Sequence, residues 1–105
     1  MQTNISIRHG HVSDATQAVI REKLEKLTRL YDRVSAIEVT IDLEHRDLPA
    51  VDLKVTCKKH EFVAVAQADN LLASVDAAVD KMEQQLRKHK EKTQDRHRGA
   101  GHREE

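Results

Sequence analysis

The residues of this chain that could do chemistry are its seven histidines, its one cysteine and its many lysines and arginines. Imidazole and thiolate groups bind transition metals, but only at the right spacing. His9 and His11 share one strand face at i, i+2, while His89, His97 and His102 lie near or in the C-terminal tail. No third ligand is fixed by local spacing, and zinc sites ordinarily show tighter Cys/His pairs. His60-Glu61 begins like the zinc-protease sequence His-Glu-x-x-His, but position 64 is Ala and the segment alternates as a strand. Cys57 falls on the inward side of a strand and reads as a small core residue. There is no Gly-x-Ser-x-Gly elbow and no Walker loop, and the only glycines are Gly10, Gly99 and Gly101. The expectation is a protein that is not an enzyme, with no metal, no cofactor and no small-molecule substrate.

The cations point elsewhere. Lys+Arg (18) equals Asp+Glu (18), so there is no global pull toward polyanions, and any such site depends on how the charges are distributed. On a helix turning about 100° per residue, Lys81, Lys88 and Lys92 fall within roughly 40° of one another, beside Gln85. Asp76, Asp80, Glu83 and Glu91 gather on the opposite flank with Arg87. Earlier in the chain Lys23, Lys26 and Arg33 form a similar ridge, with Arg29 close by, and Arg87-Lys88-His89-Lys90 adds a basic run. Charge runs are usually solvated helix faces. As a functional surface, this pattern would contact phosphates, giving salt-sensitive binding that is largely blind to sequence. Tyr31 and Phe62 are the only aromatics. No exposed platform for stacking bases is therefore expected, and RNA would have to be held through phosphates and shape.

The elements that position these residues follow from periodicity. Gln2 to Arg8 reads as a short strand with Ile5 and Ile7 on one face. Ser13 reads as an N-cap, after which Ile20, Leu24, Leu27 and Tyr31 recur at helical spacing. Ala36 to Glu44 alternates, with Ile37, Val39, Ile41 and Leu43 on one side. Beyond a turn at His45 to Pro49, Val51, Leu53, Val55 and Cys57 alternate in the same way, which predicts an antiparallel hairpin. Opposite charges favour a register pairing Asp42 with Lys54, Thr40 with Thr56 and Glu38 with Lys58. After a turn at Lys58 to Glu61, a strand from Phe62 to Ala68 is expected to bury Phe62, Ala64 and Ala66. Asn70 then caps a helix in which Leu72, Val75, Val79, Met82 and Leu86 form the apolar stripe, ending near Thr93. The predicted class is α+β, in the order β-α-β-β-β-α, with a four-stranded sheet and both helices on one face.

The length of 105 residues suits one domain, here 1–93, and residues 94–105 have nothing to bury and read as a disordered tail. A lone cysteine excludes an internal disulfide and suits a reducing compartment. No signal sequence or spanning segment is evident, since the longest apolar run, Phe62 to Ala66, is far too short. A cytoplasmic protein without a membrane partner is expected.

Met1-Gln2-Thr3-Asn4-Ile5 resembles the opening of the ribosome hibernation promoting factor / ribosome-associated inhibitor family. The first helix is similar to that family at Lys23, Lys26, Leu27, Asp32 and Arg33. The segment Val79-Asp80-Lys81-Met82-Glu83-Gln84-Gln85-Leu86-Arg87-Lys88-His89-Lys90-Glu91-Lys92 resembles its terminal-helix signature almost throughout. The resemblance covers residues 1 to about 93 and fits a short form, since long members carry a second domain that pairs ribosomes. It implies a double-stranded-RNA-binding-domain-like fold and binding to the small ribosomal subunit, in the channel that mRNA and tRNA use. There such proteins touch ribosomal RNA and hold the ribosome idle under stress or in stationary phase. It also implies RNA contacts at Lys23, Lys26, Lys81, Arg87, Lys88 and Lys90, to which the helical wheel adds Lys92. A monomer off the ribosome is expected. The competing expectation is a general double-stranded-RNA-binding module or a regulator of another protein.

Overall fold

The structure, a computed structural model, describes residues 2–31 and 33–98, with side chains described as far as Lys90. The elements are β1 (Gln2–Arg8), α1 (Asp14–Leu30), β2 (Val34–Asp42), β3 (Ala50–Cys57), β4 (His60–Gln67) and α2 (Leu71–Arg98). The sheet order is β1-β2-β3-β4, with β1 parallel to β2 and the other neighbours antiparallel. A parallel pair needs a crossover, and α1 supplies it.

Both helices pack on the same sheet face, because each has one apolar stripe and the strands have one apolar side. Ile20, Leu24 and Leu27 of α1 join Val75, Val79, Met82 and Leu86 of α2 over Ile37, Val39, Ile41, Val51, Leu53, Val55 and Cys57 in a single core. On β4, Ala64 and Ala66 are buried and Phe62 packs against the core, while Val63 and Val65 face outward at 50% and 52% exposure.

The helix starts follow their caps. The Ser13 hydroxyl accepts from Thr16 N at 3.2 Å, and the Asn70 side-chain oxygen accepts from Ala73 N at 2.8 Å. Each satisfies a backbone donor that has no intrahelical partner. At the other end of α1, Tyr31 turns to extended geometry (φ −146°) while its N–H still reaches Leu27 O. Arg33 consequently lies beyond the helix and not on the Lys23–Lys26 ridge.

Three further expectations need correction. The β2–β3 register pairs Glu38 with Lys54, Thr40 with Asp52 and Asp42 with Ala50. This register also sets a cation against an anion, and it places Ile37, Val39 and Ile41 directly opposite Val55, Leu53 and Val51. The charge-based alternative would have set Ile37 against Lys59; apolar pairing on the buried face decides. In α2 the stripe begins at Leu71, four residues before Val75, and Leu72 is 37% exposed. Finally, α2 continues to Arg98, past the expected end at Thr93; the remainder of the expected tail, 99–105, lies outside the described residues.

Ser74 is the one buried polar residue among the described residues. Its hydroxyl donates to Pro49 O at 2.8 Å and accepts from Ala68 N at 2.9 Å, tying the start of α2 to the β2–β3 loop and to the end of β4.

Candidate nucleic-acid interface

The cations sit on two helices that run side by side in the same direction. Lys23 of α1 meets Asp76 early in α2 (Nζ to Oδ1, 2.8 Å), and Lys90 late in α2 reaches Leu30 O at the end of α1 (3.4 Å). Lys90 thereby supplies a donor to a terminal helix carbonyl, where positive charge is favourable. A shallow groove between the helices is lined by Glu22, Lys23, Glu25, Lys26, Arg29 and Asp76, and its charge is mixed.

The other flank of α2 lies along β4. Lys81 Nζ donates to Val65 O and the Gln85 amide donates to Val63 O, both at 2.8 Å. On the far side of the sheet, Arg21 of α1 donates to Thr3 O of β1 at 3.2 Å. Unpaired edge groups invite another strand, and here long polar helix side chains occupy part of both edges.

The expected RNA-contacting residues are therefore not one patch. Lys23 and Lys90 lie toward the interhelical side, and Arg87 follows them, since it repeats the Asp76–Asp80–Glu83 flank. Lys81 lies toward β4, and Lys88, seven residues on, repeats its side. Lys23, Lys81 and Lys90 each have an intramolecular partner. Lys26, Arg87 and Lys88 are exposed and make no hydrogen bond or ion pair among the described residues. Lys92 is in α2, but its side chain lies outside the described residues. The outer sheet face offers little to a polyanion, because Lys54 sits between Glu38 (3.6 Å) and Glu61 (3.9 Å).

His9 and His11 do not share a strand face, since β1 ends at Arg8. His9 takes a left-handed φ of 61°, and its Nδ1 lies 2.8 Å from Asp42 Oδ1. Asp42 also accepts from Glu44 N at 2.9 Å. These two hydrogen bonds, His9 first, hold the Asp42 carboxyl below its ordinary pKa. His9, Asp42 and Glu44 are the residues closest to a metal-ligand set among those described. All three are partly or fully exposed, and their hydrogen bonds already account for the geometry of this corner. Gly10 is required beside it, because a Cβ there would stand 2.7 Å from Leu43 Cδ1. Cys57 is buried, and burial pushes its thiol pKa up, away from nucleophile chemistry.

A cluster absent from the sequence reading lies at the β3–β4 end. His89 is surrounded by Tyr31 (5.8 Å between ring centroids), Phe62 (5.2 Å) and His60 (4.9 Å). The available signal was that His89 follows Met82 by seven residues and so shares its inward face; within a basic run it reads as surface.

This arrangement defines a small α+β domain whose helix layer carries separated cationic flanks. A family profile described as "Sigma 54 modulation protein / S30EA ribosomal protein" matches residues 3–94, and the chain belongs to that family. It is 33% identical over 99 residues to a ribosome hibernation promoting factor of Azotobacter vinelandii, covering 94% of this chain and 92% of that one. It is 28% identical over 92 residues to the factor of that name from Escherichia coli K12, covering 88% of this chain and 96% of that one. The fold matches a ribosomal subunit interface protein from Coxiella burnetii (TM-score 0.78, 24% identity, 86% of this chain and 98% of that one). It also matches the N-terminal domain of Thermus thermophilus Protein Y (TM-score 0.72, 22% identity, 82% and 94%).

Proposed function

We propose that this chain is a ribosome hibernation factor that occupies the small ribosomal subunit in the mRNA/tRNA channel and blocks translation under stress or in stationary phase. The observation that carries this reading is end-to-end similarity to proteins named ribosome hibernation promoting factor, over more than nine-tenths of the Azotobacter relative. The exposed cations on the helix layer, Lys26, Arg87 and Lys88, fit a phosphate-contacting role, and Lys23, Lys81, Lys90 and Lys92 join them once RNA competes for their side chains. Contacts of this kind involve no bond making or breaking. The protein acts by occupancy, as a monomer in the cytoplasm, through residues 1–93, with 94–105 dispensable for folding.

The second reading is a general duplex-RNA binder or a regulator of another protein, and the words "Sigma 54 modulation protein" in the family description favour it. Sucrose-gradient sedimentation separates the two. The protein should travel with small subunits at moderate salt and suppress translation in an extract. Equal affinity for generic duplex RNA, with no co-sedimentation, would overturn the ribosomal reading.

A further inference from the structure

We infer that the ring cluster beside the β3–β4 turn is a stacking site for one unpaired RNA base, with neighbouring lysines holding the adjacent phosphates. This deepens the ribosomal reading above and rests on it for the identity of the RNA.

Tyr31, His89, Phe62 and His60 form a continuous series from the buried end of α1 to the surface. Tyr31 is buried, Phe62 and His89 are half-buried, and His60 is exposed. His60 meets His89 edge-on at 4.9 Å and lies 6.3 Å from Phe62 in a tilted arrangement. Its ring is thus braced from within and open to solvent. A braced ring loses little freedom when a base lies on it, which is what a stacking platform requires.

The charges around the rings match a nucleic acid. His60 directly follows Lys58 and Lys59, both exposed, in the two-residue turn that joins Cys57 to its partner His60. His89 lies between Lys88 and Lys90, both exposed. The ring contact brings these two lysine pairs to the same end of the molecule. Glu61, the residue after His60, is turned toward Lys54 on the outer sheet face. Rings interleaved with cations form the pattern that binds single strands, whereas a continuous duplex offers no free base face. The occupant is therefore an unpaired nucleotide in a loop, bulge or single strand.

The test uses the full chain and a short single-stranded RNA carrying one 2-aminopurine, with the corresponding duplex for comparison. Binding is read by anisotropy and stacking by quenching of the base analogue, across a salt series. His60→Ala should weaken single-strand binding about five- to 150-fold, the range for one stacked base, and abolish quenching without changing the salt slope. His60→Phe should restore both. Lys59→Gln should keep the quenching and lower the salt slope by about 0.7. Thermal melts of all variants should match the parent, since His60 and Lys59 are exposed.

The inference is overturned if the parent does not bind the single strand, or if His60→Ala binds it with undiminished affinity. If ribosomes are bound but His60 is irrelevant to RNA binding, the stacking site fails and the ribosomal reading stands. If His60-dependent quenching occurs but nothing co-sediments with ribosomes, the stacking site stands and the ribosomal reading fails.

Discussion

Replacing Arg87 and Lys88 together by Gln should change how binding to small subunits responds to salt. These two side chains are exposed and unengaged among the described residues, so their charge can be removed without disturbing an internal contact. Each phosphate contact contributes about 0.7 to 0.9 to the slope of log affinity against log salt, so the pair accounts for about 1.4 to 1.8. Raising salt from about 50 to 200 mM is about 0.6 in log units, so over that range the double variant should lose about seven- to twelvefold less affinity than the parent. The assay is quantitative co-sedimentation at several salt concentrations, with a thermal melt to confirm the fold. Asp76→Asn is the control. It removes the partner of Lys23, whose side chain is 27% exposed, and should leave binding unchanged or slightly stronger. A parental slope in the double variant would show that Arg87 and Lys88, on their separate flanks of α2, are solvated and do not meet phosphate.

Leu24→Ala, at a site 1% exposed, should cost about 2–5 kcal/mol in a denaturant melt; a cost below about half a kcal/mol would mean the inward face of α1 is misassigned. Ser74→Ala should cost about 1–3 kcal/mol, because Ala68 N and Pro49 O lose their shared partner, and a neutral result would mean water replaces the hydroxyl. Changing both Lys81 and Gln85 to Ala uncovers the Val63 and Val65 carbonyls on the β4 edge, so analytical ultracentrifugation should show more self-association than in the parent. Since Asp42 has a folded pKa below its unfolded one, it stabilises the fold fully above the ordinary carboxylate range. That contribution is lost as pH falls through the lowered value, and His9→Ala, which removes the largest cause of the shift, should narrow the difference between acid and neutral melts.

The sequence alone determined the element order and nearly all of the core, because local rules suffice for both. Ser13 and Asn70 announce helix starts through side-chain oxygens that reach backbone donors within three residues. The period-two pattern of Ile37, Val39 and Ile41 needs only the pleat of a strand to bury one side. Sequence also identified the lysines and arginines of the candidate interface, together with the family that the profile match assigns. It could not determine which of them are engaged. Lys23 with Asp76, Lys81 with Val65 and Lys90 with Leu30 join positions far apart in the chain, and only the packing of α1, α2 and β4 brings them together. The hairpin register likewise escaped a charge argument, since two registers both oppose cation to anion and the buried apolar pairs choose between them. The ring cluster shows the same limit: Tyr31 after α1, His60 and Phe62 on β4 and His89 on α2 come from three separate places in the chain, and their contact exists only where α2 crosses the end of the sheet. Periodicity reports which face of an element is buried, whereas contact between faces depends on the direction and offset of the elements, which tertiary packing alone decides.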